Sequence, residues 1–318
     1  LHAEGRLDGI IGIGGSAGTA IATSAMRALP VGVPKLVVST VAAGDTRPYI
    51  GTKDITMMYS VVDIAGINSL SSRILTNAAG AIAGMVMAEP PVIEKRPLLA
   101  ASMFGNTTQC VDRARSRLEE AGYEVLVFHA TGSGGQTMES LVADGYIDGV
   151  LDVTTTEWAD ELAGGVFSAG PARLEAAGRA GVPQVIAPGC LDMVNFGGPE
   201  TVPQRYRDRK LYRWNPNVTL MRTTPEENAE LGRIIGEKAS ASIGPVAILL
   251  PLRGVSQLDR AGGDFWWPEA DAALFTAIKR HTRQDIPVIE MDANINDPGF
   301  ADKASELLLG MLAVKKTT

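Results

Sequence analysis

Apolar runs of about five to seven residues alternate with stretches of helical spacing along the whole chain, the pattern of a parallel sheet covered by helices on both faces. The runs predict strands at 9–13, 35–40, 55–61, 98–104, 124–129, 149–153, 184–187, 218–222, 246–251 and 288–292. Helix signals stand between them. The segment from Thr107 to Ala121 opens on a Thr-rich cap, and Thr224-Pro225-Glu226-Glu227 supplies a cap, a proline at the first helical position and first-turn acids for a helix over 225–240. Gly122, Gly145 and Gly181 are placed to close helices. The rhythm breaks at Glu89-Pro90-Pro91-Val92-Ile93-Glu94-Lys95-Arg96-Pro97, a proline-rich charged linker. Residues 1–92 and 98–318 then form two Rossmann-like α/β domains, each a parallel sheet covered by helices, with a cleft between them.

Size agrees with this division, because 318 residues, 45% hydrophobic and 20% charged, suffice for two ordinary cores. The second domain holds seven predicted strands. The first holds three in about 90 residues, too few to finish a sheet. The chain also starts at Leu1-His2-Ala3-Glu4 without Met and already in a helical pattern, so a preceding piece of the first domain is expected to be missing. An unpaired edge there, with a predicted helix over 66–87 carrying Ile67, Leu70, Ile74, Ala78, Ile82 and Met85 on one stripe, predicts a homo-oligomer. The same stripe also fits a helix facing its own core.

Charge narrows the function. A net charge of -7 argues against a nucleic-acid surface, and the densest basic run, Arg205 to Arg213, is interrupted by Asp208 and reads as a solvated loop. No charge-free and glycine-free apolar stretch reaches 18 residues, so no membrane partner is expected. Cys110 and Cys190 offer neither metal spacing nor a disulfide framework, which suits a reduced cytoplasm.

The candidate chemistry lies in three glycine-rich turns that each join a strand to a helix. Such a turn points unpaired N–H groups at one place, and the helix dipole adds positive potential there. The first turn contributes Gly14, Gly15, Ser16, Gly18 and Thr19, with Ser39 and Thr40 at the end of the neighbouring strand. It lacks the lysine of the nucleotide-triphosphatase loop. It also departs from the dinucleotide fingerprint, with Ala17 in place of the third glycine and no acid at Ser39 or Thr40. The second turn is Gly105, Asn106, Thr107 and Thr108; the third is His129, Thr131, Gly132, Ser133, Gly134 and Gly135. These residues form the candidate nucleotide site, although capping alone also accounts for hydroxyl residues at helix starts.

Side chains predicted at the same strand ends are candidates for substrate contact. They are Thr156, Glu157, Asn195 and Arg222, with the Arg222 fork suited to a carboxylate or phosphate. A carboxylate among Asp152, Glu157, Asp160 and Glu161 would suit Mg2+. His129 is a candidate for ligand contact or proton transfer. Cys190 has no nearby base in sequence to activate it and reads as structural. No catalytic residue or metal ligand is assigned.

The runs Gly12 to Gly18, Val38 to Asp45, Asp54 to Gly66 and Phe167 to Ala177, with Asp192-Met193-Val194-Asn195-Phe196-Gly197 and Leu220-Met221-Arg222-Thr223-Thr224, occur in order along the chain. Together they resemble a bacterial and fungal family of unassigned reaction that also forms the N-terminal ATP-binding region of a tomato mosaic virus resistance protein. One departure stands at Trp214-Asn215-Pro216, where the family pattern carries His. The resemblance implies two Rossmann-like halves that bind ATP with Mg2+, and about 90 residues of family chain ahead of Leu1. It also implies, for the plant relative, inhibition of a viral replication protein. The leading expectation is an ATP-binding protein, including an Mg-ATP-dependent enzyme acting on a small acidic metabolite. A sugar-nucleotide enzyme of double-Rossmann type and a non-catalytic, nucleotide-stabilised interaction module stay open beside it.

Overall fold

A computed structural model of the protein describes residues 1–92 and 94–315. Ile93, inside the expected linker, lies outside the described residues. The chain divides into two compact units, Leu1–Glu94 and Lys95–Thr318.

In the first unit, β1 (Ile10–Gly14), β2 (Lys35–Ser39) and β3 (Thr56–Tyr59) form a parallel sheet in the order β1-β2-β3. The helices α1 (Ser16–Arg27), α2 (Arg47–Ile50) and α3 (Ser69–Met87) complete it. Side chains alternate across a strand, so β2 packs Val37 with Met26 and Ile55 on one face, and Leu36 and Val38 with Ala78 of α3 on the other. Gly12 is required for this, since a Cβ there would stand 2.5 Å from Ala22 Cβ and push α1 off the sheet. Along the α3 stripe, Ile74, Ala78 and Ile82 face the core, while Ile67 and Leu70 are exposed.

The second unit is built on six parallel strands: β4 (Leu98–Met103), β5 (Glu124–His129), β6 (Gly149–Thr154), β7 (Gln184–Gly189), β11 (Val246–Pro251) and β12 (Val288–Met291). Their order is β12-β11-β7-β6-β4-β5. Leu99, Ala101, Leu151, Val153, Val185, Ala187 and Leu249 pack with α4 (Thr108–Glu120) and α10 (Pro298–Lys315). The intervening positions Ala100, Val150, Ile186, Ile248 and Leu250 face α5 (Ser133–Ala143), α7 (Ala176–Ala180), α8 (Pro225–Ser240) and α9 (Pro268–His281). Burial on both faces explains why these strands are apolar throughout rather than alternating. Successive strands leave β4 first toward β5 and then toward β6, so the order reverses between β4 and β6. Ligands of open α/β sheets characteristically bind at that point, beyond the carboxyl ends of the strands.

One expectation is corrected here. The strand at 218–222 is not part of the parallel sheet: β10 (Val218–Arg222) pairs antiparallel with β8 (Met193–Phe196) and β9 (Leu211–Asn215) in a separate sheet of order β8-β10-β9. The basic run therefore ends in a strand rather than a loop throughout. The β9–β10 turn is closed by the Asn217 N–H donating to Asn215 Oδ1 at 2.8 Å. Among the described residues, no helix is long and apolar enough to cross a membrane.

Candidate functional site

At the carboxyl edge of the first sheet, β1 runs through Gly14 and Gly15 into α1. Gly14 is dictated by packing, because a Cβ would lie 2.7 Å from Gly18 Cα and 2.9 Å from Thr19 N. Gly15 is not, since its Cβ would meet only Thr40 Oγ1, at 3.7 Å. The hydroxyls behind the turn are used internally. Thr19 Oγ1 donates to the Gly14 carbonyl at 3.2 Å and lies 2.6 Å from Ser39 Oγ, which accepts from Val41 N–H at 3.1 Å. Gly15 is the N-cap of α1, no side chain caps the helix and no acid stands in its first turn. The helix therefore opens on Ser16 and Ala17, both exposed, with Gly18 half-buried.

The loop from Thr131 to Gly135 does bind an anion, but that anion is part of the chain. Glu157 Oε1 accepts from Gly132 N–H at 2.8 Å and Gly135 N–H at 3.1 Å. Gly135 makes room for it, since a Cβ there would overlap Glu157 Oε2 at 2.1 Å. The other side of the carboxylate meets Arg173 Nε at 2.6 Å. Arg173 also grips Asp152 through both terminal nitrogens and reaches Glu139 at 3.2 Å. Burial raises the Glu157 pKa against the opposing pull of Arg173.

At the β4/β6 reversal the loop is folded onto its neighbours. Thr107 Oγ1 accepts from Phe104 N–H at 3.1 Å and lies 2.8 Å from Thr154 Oγ1. Thr108 Oγ1 donates back to the Phe104 and Gly105 carbonyls. The Asn106 carbonyl accepts from Gln257 N–H and Asn296 Nδ2, and its side-chain Oδ1 is buried without a partner. Gly105 and His129 are exposed at the rim, with His129 stacked on Phe104 at 5.5 Å between ring centres. Partial burial lowers the His129 pKa, which favours the neutral imidazole.

The side chains expected to meet substrate are buried and bonded within the chain. Besides Glu157, Thr156 Oγ1 donates to the Met193 carbonyl at 3.5 Å. Asn195 donates its backbone N–H and Nδ2 to Asp160 at 3.0 and 2.7 Å, and burial pushes the Asp160 pKa up to about 7. Arg222, 1% exposed, spends its fork on Asp271 at 2.8 Å, Asp259 at 3.5 Å and the Phe265 carbonyl at 2.7 Å. Sequence reasoning missed Arg173, Asp259 and Asp271. The one local signal for Arg173 is a lone cation in the apolar segment Ala169-Gly170-Pro171-Ala172-Arg173-Leu174.

Cys190 takes a left-handed backbone conformation at φ 59° and is fully buried. Burial, with Asp192 and Asp259 nearby, holds its thiol pKa well above the ordinary range. Burial also pushes Cys110 up to about 12. The thiolate is the reactive form, so iodoacetamide should label neither cysteine at an appreciable rate in the native protein at pH 7, and both after unfolding. Rapid native labelling of Cys190 would overturn its structural assignment.

These features define a class: a two-unit α/β protein whose parallel sheets carry glycine-rich turns at their carboxyl edges. Residues 1–91 match the N-terminal domain, and residues 96–312 the C-terminal domain, of the "Uncharacterised protein family (UPF0261)". The chain belongs to this family. It is 56% identical over 314 residues to a UPF0261 protein of Clostridium tetani, covering 98% of this chain and 78% of that one. With a UPF0261 protein of Rhizobium meliloti it shares 51% identity over 306 residues, covering 96% and 77%. With the ToMV resistance protein Tm-1(GCR237) of Solanum lycopersicum it shares 44% over 307 residues, which is 94% of this chain and 41% of the tomato protein.

Proposed function

We propose that this chain binds ATP, with the phosphates seated on the turn from Gly15 to Gly18 at the start of α1. One observation carries the reading. The α1 N-terminus has no capping side chain and opens on a glycine for which packing gives no reason, whereas the α5 N-terminus is already filled by Glu157. A bound phosphate supplies both the missing acceptor and the reason for a bare backbone at Gly15. Ser16 and Thr40 flank the seat.

Of the carboxylates expected to suit Mg2+, Asp152, Glu157 and Asp160 are buried in pairs with Arg173 or Asn195, and Glu161 accepts from Ser168 Oγ. The reading therefore rests on the phosphates alone, and no reaction is assigned. It includes a cytoplasmic protein that associates through its first unit, where Ile11 and Ile13 of β1 are 42% and 49% exposed.

Calorimetry and thermal shift with ATP test the reading. At about a hundred times Kd, ligand should stabilise the native state by about 2.7 kcal/mol. Gly15→Val should abolish that gain while leaving the unliganded melting temperature near the wild-type value. No heat and no shift at millimolar ATP would remove the reading.

A further inference from the structure

Behind the β8-β10-β9 sheet lies a charge imbalance that neither the fold nor nucleotide binding explains. Arg222 of β10 stands among three aspartates: Asp192 from the turn after β7, Asp259 from the loop after β11, and Asp271 from the first turn of α9. Arg222, Asp259 and Asp271 have side chains 1%, 0% and 6% exposed, and Asp192 is fully buried. The guanidinium turns only Nη2 toward carboxylates; Nε serves the Phe265 carbonyl and Nη1 serves Thr223 Oγ1.

Three carboxylates and one guanidinium leave two excess negative charges in a buried site. Other polar partners add no positive charge. Asp192 Oδ2 accepts from Ser256 Oγ at 2.8 Å, its Oδ1 has no partner, and Asp259 Oδ2 accepts from Val255 N–H at 2.9 Å. The Cys190 thiol faces the cluster from the end of β7. Arg209, whose Nη2 reaches the Arg222 carbonyl at 2.7 Å, is itself paired with Glu227. Ionised carboxylates without counter-charges are not stable in such surroundings, so protons must remain.

We infer that the Asp192–Asp259–Asp271 cluster keeps at least one proton at neutral pH, shared where Asp259 and Asp271 meet on Arg222, and that this proton clamps the cover over the β4/β6 reversal. Burial, together with the neighbouring carboxylates, pushes Asp192 up to about 7 and Asp271 up to about 8. The clamped pieces are the cover itself. β10 carries the antiparallel sheet, the β11 loop donates Gln257 N–H to the Asn106 carbonyl, and Phe265 packs with Phe104, Cys190, Met193, Leu220 and Leu258. Losing the proton drives the carboxylates apart and loosens the cover over Thr107 and Thr154.

The sign follows from linkage. These carboxyls have folded-state pKa values above their unfolded ones, so their stabilisation is complete below about pH 4 and is lost as pH rises through about 7 and 8. Each retained proton lowers the folding equilibrium constant by up to about tenfold per pH unit in that window. Denaturant titrations of the full chain from pH 5 to 9 should therefore show stability falling with pH. Asp271→Asn keeps a neutral hydrogen-bonding group in place and should flatten that fall by one proton, leaving the variant at least as stable as wild type at pH 9. In D2O at pH 7, folded wild type should also show infrared carboxylic C=O absorption that is weaker in folded Asp271→Asn, where Asp160 and Asp192 supply what is left. An unchanged pH slope in Asp271→Asn, or no such absorption in wild type, overturns the inference.

Discussion

Arg173→Met should destabilise the second unit strongly at pH 7. Arg173 is 1% exposed, and its fork pairs Asp152 and Glu157, whose side chains are 2% and 0% exposed. Methionine fills much of the same volume but strands both carboxylates in the interior. Removing one partner of a buried pair costs about 3–5 kcal/mol. Whole domains are stable by only about 5–15 kcal/mol. The damage spreads along a definite route: Glu157, which accepts from Gly132 N–H and Gly135 N–H, loses its cation, and Glu139 loses the guanidinium while still accepting from Leu174 and Ala176 N–H. The start of α5 and the segment leading into α7 should therefore lose hydrogen-exchange protection first.

Acid should partly rescue this variant. Burial already raises the Glu157 pKa, and without the opposing pull of Arg173 it binds a proton more readily folded than in the unfolded chain, so stability should rise as pH falls from 7 toward 5. Arg173→Lys keeps the charge but not the planar fork and should fall between the two. Circular dichroism through denaturant titrations at pH 5 and 7 measures all three proteins. A wild-type midpoint for Arg173→Met at pH 7 would show that the pairs contribute nothing net.

The same network shows what a single sequence reveals. All ten predicted strands are present within a few residues, because each is set by local apolar runs and nearby turn chemistry. The helix over 225–240 begins as its residues dictate: Thr224 and Glu227 form a capping box with Pro225 at the first position. β8 and β9 escaped because each is held by β10 rather than by an apolar run of its own. At the sites, backbone physics was legible and partner identity was not. The turn at 131–135 reads as a nucleotide seat, and the group that its Gly132 and Gly135 N–H meet in the structure is Glu157, 25 residues from Gly132. Arg222 reads as a free fork because Asp259 and Asp271 stand 37 and 49 residues further on. Nothing in a chain's local spacing reports such pairings.

The glycines of the first turn allow a sharper separation of fold from function, and here the expected difference between neighbouring positions is large. Gly14→Ala should destabilise the first unit severely. Its Cβ would sit 2.7 Å from Gly18 Cα, 2.8 Å from Gly18 C and 2.9 Å from Thr19 N, all backbone atoms of the α1 first turn that have no rotamer by which to withdraw. Relief requires moving α1 off β1, which disturbs the packing of Met26 against Val37 and the Thr19–Ser39 contact at 2.6 Å. Overpacking typically costs about 1–3 kcal/mol, and a clash against backbone belongs at the upper end. Gly15→Ala adds the same methyl group one residue later, where it meets Thr40 Oγ1 at an ordinary 3.7 Å with φ at -73°, so the unliganded fold should scarcely change. ATP affinity should divide the pair in the opposite sense, with Gly15→Ala weakening binding despite a normal melting temperature. Thermal melts with and without ATP on both variants decide it: equal losses of unliganded stability would mean that Gly15 belongs to the fold after all, and undiminished ATP binding by Gly15→Ala would move the phosphate seat away from α1.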